Sequence, residues 1–113
     1  MPEAKAYTKY LRIPPRKARL AAALIRGKSV VSAFVQLASS QLKGGRLLFK
    51  TLRSAVANGE TQLNMNREKM RVKEVRIDAG PVLKRAKSKS KGGRVPVMKR
   101  TSHIKVIVEG EEG

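Results

Sequence analysis

The sequence predicts an α+β fold, in which three helices pack with a small three-stranded antiparallel sheet and a long, extended β-hairpin arm leaves that sheet. One strand pattern precedes three segments of helical periodicity. Two further strand patterns follow, joined by a segment too rich in Gly, Pro, Ser and Lys to bury a core. The length of 113 residues fits one domain. We expect a globular body at about residues 1–79 and 99–110, and an arm at about 80–98.

Two prolines separate the first strand from the first helix. Lys5 to Ile13 contains Thr, two Tyr and Ile, which favour a strand, and Pro14 ends that pattern. Pro15 suits the first helical position, where its missing N–H costs nothing. The Ala- and Leu-rich segment Arg16 to Arg26 then predicts a helix that ends at Gly27. Its core-facing residues, by helical spacing, are Leu20, Ala21, Leu24 and Ile25.

Two more helices are predicted in the middle of the chain. Ser29 can cap the second helix, because a serine oxygen accepts from the free N–H groups of a first turn. The apolar residues that follow at helical spacing are Val30, Ala33, Phe34, Leu37 and Ala38. We expect Gly44 and Gly45 to interrupt or precede a third helix at about 46–58, and the Asn-Gly pair at 58–59 to terminate it. The expected buried face of that helix is Leu48, Leu52, Ala55 and Val56.

The last two strands are predicted from β-branched residues. Met70 to Ile77 alternates, but the alternation slips by one residue at Lys73-Glu74, so we expect a β-bulge there. Ile104 to Val108 is the clearest strand, with Ile104, Val106 and Val108 on one face. The segment between these strands, Ala79 to Lys99, has the pattern of a hairpin with a long arm.

Charge is segregated along the chain. Residues 4–59 contain twelve Lys or Arg and no Asp or Glu, and residues 79–108 contain nine basic residues and no acid. The formal net charge is +18, which repels itself in a compact chain. Nucleic acid is the polyanion that would relieve this repulsion, so the sequence indicates a protein that binds many phosphates.

Composition excludes several classes of function. Aromatic residues make up 4% of the chain, which argues against a platform of several base-stacking rings. There is no Cys and a single His, so no metal constellation or cofactor is expected. The longest apolar run, Leu20 to Ile25, is far too short to span a membrane, and the N-terminal residues lack a signal-peptide core. We therefore expect a soluble, intracellular protein.

The third helix carries a stripe of four basic residues spaced by three, four and three: Lys43, Arg46, Lys50 and Arg53. A solvated helix face is the alternative. Solvated faces usually mix charges of both signs, whereas no acid stands near enough to pair with this stripe along the helix. The pattern favours contact with nucleic acid.

The only histidine lies in a polar block, Lys99-Arg100-Thr101-Ser102-His103, that enters the last strand. Catalysis by His103 would require a neighbouring carboxylate or nucleophile. Contact of the block with phosphate or ribose is more consistent with its five polar donors. A surface histidine without a function is the second interpretation.

The arm carries alternating Lys and Ser at residues 87–91. In a strand, the three Lys would share one side. A disordered basic tail is the alternative, but tails are usually terminal, and a confident strand follows this segment. The pattern favours an arm that becomes ordered on a partner.

Several ordered blocks resemble the bacterial type of the L-twenty-two family of large-subunit ribosomal proteins, over nearly the whole chain. The blocks are Pro15-Arg16-Lys17-x-Arg19-Leu20, Leu24-Ile25-Arg26-Gly27-Lys28, Ser54-Ala55-x-Ala57-Asn58, Gly80-Pro81-x-Leu83-Lys84-Arg85 and Lys99-Arg100-Thr101-Ser102-His103-Ile104. The chain departs from the family at Pro14, where a Ser commonly caps the first helix, and at the arm tip, Ser88 to Arg94.

The resemblance implies a structural constituent of the large ribosomal subunit whose body lies on large-subunit (23S-type) rRNA. It further implies an arm whose tip lines the exit tunnel, near ribosomal protein L-four and the nascent polypeptide. The residues expected to bind rRNA are Arg12, Arg16, Lys17, Arg19, Arg26, Lys28, Lys43, Arg46, Lys50, Arg53, Lys84, Arg85, Lys99, Arg100, Thr101, Ser102 and His103. The residues expected to line the tunnel are Lys87, Ser88, Lys89, Ser90, Lys91, Gly92, Gly93 and Arg94.

Two other functions fit a basic chain less well. A DNA-binding or nucleoid-associated protein would need a recognition helix with base-contacting Arg, Asn or Gln, usually in a dimer, and the basic stripe has no Asn or Gln neighbour. An enzyme acting on nucleic acid would need carboxylates to hold metal ions, and both basic blocks lack them.

Overall fold

The computed structural model describes residues 2–88 and 94–110. For residues 83–88 and 94–99 it describes the backbone alone. The elements in chain order are β1 (Glu3–Leu11), α1 (Pro15–Ala23), α2 (Val30–Ser39), α3 (Lys43–Gln62), a 3₁₀ turn (Arg67–Lys69), β2 (Arg71–Ala79), β3 (Leu83–Ser88), β4 (Arg94–Lys99) and β5 (Ser102–Glu109).

The predicted α+β class is confirmed. Strand β5 lies between β1 and β2 in an antiparallel three-stranded sheet, and the three helices pack on one face of it. Alternation along β1 sets the two faces: Ala4 and Ala6 are buried in the core, whereas Lys5 and Tyr7 are exposed on the opposite side. The sheet therefore has one helix-covered face and one that the described part of the chain leaves open.

The predicted β-bulge in β2 is also confirmed. Val72 pairs with Val108 and Glu74 pairs with Ile107, so Lys73 is the extra residue. The bulge lets both Val72 and Val75 point into the core although they are three positions apart, a spacing that would put them on opposite faces of a regular strand. A second bulge, which the sequence pattern does not predict, lies in β1 between Thr8 and Leu11.

The predicted bounds of the third helix were wrong at both ends. Gly44 and Gly45 lie inside α3 rather than before it, and the helix continues past Gly59 to Gln62. A Cβ on Gly44 would lie 3.2 Å from the Cβ of Ala21, and one on Gly59 would lie 3.0 Å from the Sδ of Met65. Glycine occupies these helical positions because neighbouring elements leave little room for a side chain, not because the chain turns there.

The first two helices also differ in detail from the prediction. Helix α1 ends at Ala23 rather than Arg26, and Leu20, expected in the core, is 59% exposed. The buried residues of α1 are Ala18, Ala21 and Ala22. These small side chains let α1 lie directly against the glycine end of α3. On α2, Ala38 is exposed, while Val30, Ala33 and Leu37 are buried as predicted.

Strands β3 and β4 pair antiparallel, in a register that runs from Leu83 opposite Lys99 to Ser88 opposite Arg94. They do not join the three-stranded sheet. Five of the residues expected to line the tunnel lie outside the described residues: Lys89, Ser90, Lys91, Gly92 and Gly93.

Candidate nucleic-acid interface

The basic stripe of α3 lines an open cleft of about 540 Å³ beside the end of α2. The four stripe residues, Lys43, Arg46, Lys50 and Arg53, all lie on its wall, and Phe49 is part of its lining. The spacing along α3 explains this position, since residues three and four apart share one side of a helix. The buried residues Leu48 and Leu52 fix the opposite side of α3 in the core.

A second cleft of about 410 Å³ adjoins the first and shares its Gln41, Leu42 and Lys43. Arg12 at the end of β1 and Lys17 on α1 add two more basic side chains to the shared wall. The two linings together contain six Lys or Arg and no Asp or Glu. An anion placed here would be attracted by every charged group in the walls.

The stripe side chains are available to a ligand. Arg46, Lys50 and Arg53 are exposed, and within the described part of the chain their side chains make no hydrogen bond or ion pair. The Lys43 ammonium donates to the carbonyl of Arg12 at 3.1 Å, which ties the start of α3 to the end of β1. That bond uses one of three ammonium protons and leaves the charge in place.

Arg19 and Arg26 have a structural role that the sequence pattern does not reveal. Strand β2 is an edge strand, and its outward carbonyls would otherwise lack a partner in the sheet. Arg26 donates to the carbonyl of Val75 at 2.8 Å, and Arg19 donates to the carbonyl of Ile77 at 3.2 Å. A guanidinium has five N–H groups, so both arginines keep donors for a second partner.

The connection between α1 and α2 covers the other half of the β2 edge. Gly27 donates to the carbonyl of Val72 at 3.1 Å, and Val72 donates to the carbonyl of Lys28 at 2.8 Å. Gly27 has a φ of 78°, which glycine adopts without strain. The Leu24-to-Lys28 block of the sequence is therefore also a cover for a sheet edge.

Two polar residues at the base of the arm are buried instead of exposed. The hydroxyl of Thr101 donates to the carbonyl of Pro81 at 2.6 Å, and that of Ser102 donates to the carbonyl of Ile13 at 2.6 Å. Their relative exposures are 2% and 0%. Both hydroxyl protons are therefore already used within the fold: Thr101 ties together the two sides of the arm base, and Ser102 ties this base to the segment after β1.

His103 is half-buried beside the bulge of β1. Its Nδ1 accepts the backbone N–H of Tyr10 at 3.1 Å, which leaves Nε2 to carry the proton of the neutral ring. Tyr10 has a φ of 57°, a strained conformation for a bulky residue. The hydrogen bond, and an edge-on ring contact at 4.9 Å, hold it there.

The remaining predicted residues lie outside the two clefts. Arg16, Lys28 and Arg100 are exposed. Six others belong to strand β3 or β4: Lys84, Arg85, Lys87, Ser88, Arg94 and Lys99.

Sequence reasoning missed a second basic surface, on the open face of the sheet. Lys5 and Lys9 flank Tyr7 along β1, and Lys105 of β5 stands opposite Tyr7 in the register. The signal was present in the alternation Lys-x-Tyr-x-Lys at residues 5–9.

Among the residues that the structure describes, no group of three or more His, Cys, Asp or Glu could hold a metal ion. No helix in the described ranges is both long and apolar enough to cross a membrane.

The comparisons with known proteins all match one family of ribosomal proteins. The family model for ribosomal protein L22p/L17e matches residues 6–109. The chain is 69% identical over 108 residues to large ribosomal subunit protein uL22 of Protochlamydia amoebophila, with 96% of this chain and 97% of that protein covered. It is 62% identical over 109 residues to the protein of the same name from Chlamydia muridarum, with the same coverage. The protein of that name from Chlamydia abortus is 62% identical over 108 residues.

Proposed function

The chain belongs to the L22p/L17e family of ribosomal proteins, and we propose that it is a structural, non-enzymatic constituent of the large ribosomal subunit in the cytoplasm. Its partners there are large-subunit rRNA and other ribosomal proteins. The observation that supports rRNA binding best is the pair of joined clefts, whose six basic side chains have no acid among them.

The clefts would act by neutralising phosphates at fixed positions. Where RNA helices converge, their phosphates repel one another, and each Lys or Arg placed between them releases condensed counterions. Because the stripe lies on a helix packed against the sheet, its charges are held at fixed distances from one another and cannot rearrange to match the RNA. Recognition would rest on the shape and backbone of RNA, since the deep groove of an RNA duplex hides its base edges.

Thirteen of the predicted rRNA-binding residues fall into three groups in this proposal. Those that line the clefts would make the main phosphate contacts: Arg12, Lys17, Lys43, Arg46, Lys50 and Arg53. Arg16, Lys28 and Arg100 would extend the surface, and Arg19 and Arg26 would use their remaining donors. Thr101 and Ser102 would act through the fold, by positioning the arm.

The binding proposal is tested by comparing partners at matched salt. The full-length chain should bind a transcript of 23S-type rRNA more tightly than duplex DNA of equal phosphate concentration. In cell extracts it should sediment with large ribosomal subunits at moderate salt. Equal affinity for both nucleic acids, with sedimentation on chromosomal DNA, would favour a nucleoid protein instead.

We also propose that the chain forms one domain, with a body at 1–79 and 99–110 and an arm at 80–98 that passes through the RNA. Its tip, near ribosomal protein L-four, would line the tunnel through which nascent polypeptides leave. The antiparallel pairing of β3 with β4 supports an extended arm, and the family resemblance supports its location. The basic residues of this segment would be held by phosphates along its length.

Deleting Leu83-Lys84-Arg85 tests the tunnel proposal. The deletion removes an odd number of residues from one strand, so every later side chain on that strand changes face. Deleting Lys84-Arg85 alone removes an even number and is the matched control. We expect both variants to assemble, with altered chemical accessibility of tunnel RNA mainly in the first. Wild-type accessibility in a fully assembled three-residue deletion would refute a tunnel-lining arm.

A further inference from the structure

The open face of the three-stranded sheet carries an exposed aromatic ring among lysines. Along β1, Lys5, Tyr7 and Lys9 point away from the helices, while the alternate residues are buried or half-buried beneath them. Tyr7 is 54% exposed. A large aromatic ring that lies beside positive charges, on a surface that no described element covers, is a candidate contact for a partner.

Two ammonium groups lie within cation–π range of the Tyr7 ring. The Nζ of Lys9 is 5.5 Å from the ring centroid and the Nζ of Lys105 is 5.8 Å away. The register explains the arrangement, because Lys105 stands directly opposite Tyr7 across the β1–β5 pair. The ring is thus framed by two flexible positive charges on a rigid sheet.

The charges of this region favour an anionic partner. Three of the four acids on the strands are paired with basic residues of β2: Glu109 with Arg71 at 2.6 Å, Asp78 with Arg76 at 3.4 Å, and Glu3 with Lys73. The fourth, Glu74 of β2, stands opposite Ile107, outside the Tyr7–Lys105 pair. Within the described part of the chain, Lys9 and Lys105 have no acidic partner of this kind. A partner that offers both a flat π-surface and negative charge would complement the surface around Tyr7.

We propose that Tyr7 is a stacking site for one unpaired base of large-subunit rRNA, with Lys9 and Lys105 holding the phosphates on either side of that nucleotide. This inference rests on the proposed rRNA-binding function and adds a second, chemically different contact to it. Proteins commonly bind unpaired RNA nucleotides by stacking the base on an aromatic ring. The low aromatic content excludes a platform of several rings, but it does not exclude a single stacking position.

An unpaired base suits this surface better than a duplex does. The bases of a duplex are stacked on each other, so their faces are not accessible to a side chain. Stacking on one ring is tolerant of sequence, because every base has a π-face. The site would therefore select a nucleotide that the RNA fold leaves unstacked, whatever its identity.

The chain offers a direct fluorescence test, because it has two Tyr and no Trp. Tyr10→Phe leaves Tyr7 as the only tyrosine. This variant is titrated at low salt with a single-stranded adenylate oligomer and with an abasic oligomer of equal length and charge. We expect the adenylate oligomer to quench Tyr7 emission at saturation and the abasic oligomer to bind without quenching.

Affinities give an independent measure. Stacking on one aromatic ring should favour the adenylate over the abasic oligomer by roughly five- to a hundredfold. Tyr7→Phe should keep this ratio, and Tyr7→Ala should bring it close to one. Since Tyr7 is exposed, thermal melting should show that both variants fold.

The outcomes separate the stacking site from the proposed function. Equal quenching by both oligomers, or an unchanged ratio in Tyr7→Ala, overturns the stacking site and leaves rRNA binding standing. Failure of both oligomers to bind counts against both. In assembled large subunits, a photoreactive azido-phenylalanine at position 7 should cross-link to rRNA, and cross-linking to a neighbouring protein alone would overturn the proposal.

Discussion

Replacing Arg46 and Arg53 together by Gln should lower the affinity for rRNA by about thirtyfold at 0.15 M salt. Each phosphate neutralised contributes about 0.9 to the slope of log K against log salt, which at this salt corresponds to roughly fivefold in affinity. Six such contacts, one for each basic residue of the two clefts, predict a slope of about −5. The double variant should have a slope less negative by about 2.

The measurement is a salt titration of binding to a 23S-type rRNA transcript, from about 0.05 to 0.3 M monovalent salt, a range in which phosphate contacts dominate the salt dependence. Both arginines are exposed and face away from the buried Leu48 and Leu52, so the variant should melt at the wild-type temperature. Affinity and stability are therefore separable in this case.

Arg67→Gln with Lys69→Gln is a control for total charge, and because Arg67 pairs with Glu60 at 2.8 Å, the melting temperature of this variant is measured as well. This control removes the same number of charges from the 3₁₀ turn, and neither residue lines a cleft. If affinity depends only on total charge, the two double variants will lose affinity equally and with equal change of slope. That result would refute the assignment of binding to the clefts, as would a wild-type slope near −1.

Three further predictions concern the fold that carries these surfaces. Gly44→Ala should destabilise the protein by up to about 2 kcal/mol in denaturant titrations, because crowding against Ala21 outweighs a helix-propensity gain of about 1 kcal/mol; equal or higher stability would contradict close packing. Arg26→Met should cost about 1 kcal/mol of unfolding free energy through the lost bond to Val75, with the exposed Arg16→Met as a control that changes little. The Glu3–Lys73 ion pair lowers the pKa of Glu3 and raises that of Lys73, mainly through their hydrogen bond. The contribution of this ion pair to the free energy of unfolding should be complete between pH 4.5 and pH 10.5, the ordinary pKa values of the two groups. It should be lost as pH falls through the lowered pKa of Glu3 or rises through the raised pKa of Lys73. The melting temperatures of wild type and Lys73→Met should therefore converge at acid pH, and a constant difference would contradict the linkage.

The order and type of the elements could be predicted from the sequence because their signals are local. Helical spacing, strand alternation and the slip at Lys73 depend on neighbours within a few positions, and they predicted the element order and the β2 bulge correctly, although helical spacing wrongly placed Leu20 and Ala38 in the core. Helix ends were less predictable. Gly44 and Gly59 act through residues distant in sequence, Ala21 and Met65, so a local rule that treats glycine as a terminator misplaces both ends of α3.

The candidate site shows the same division between local and distant causes. The stripe on α3 follows from spacing alone, so its exposure could be predicted. The partners of Arg19, Arg26, Thr101 and Ser102 are backbone carbonyls, and no sequence pattern marks a carbonyl as an acceptor. Residue type therefore predicted where positive charge and polar donors would gather, but not which of them the fold itself would use.

The basic residues that form ion pairs and the basic residues that line the clefts come from different parts of the sequence. Each ion pair found among described residues takes its basic partner from residues 67–76, between the two basic blocks: Arg67 with Glu60, Arg71 with Glu109, Lys73 with Glu3 and Arg76 with Asp78. The basic residues that line the clefts come from the first acid-free block. An acid there would pair with a cleft cation and compete with phosphate for it. The absence of acids from that block therefore keeps these cations available, at the cost of self-repulsion that an RNA partner would relieve.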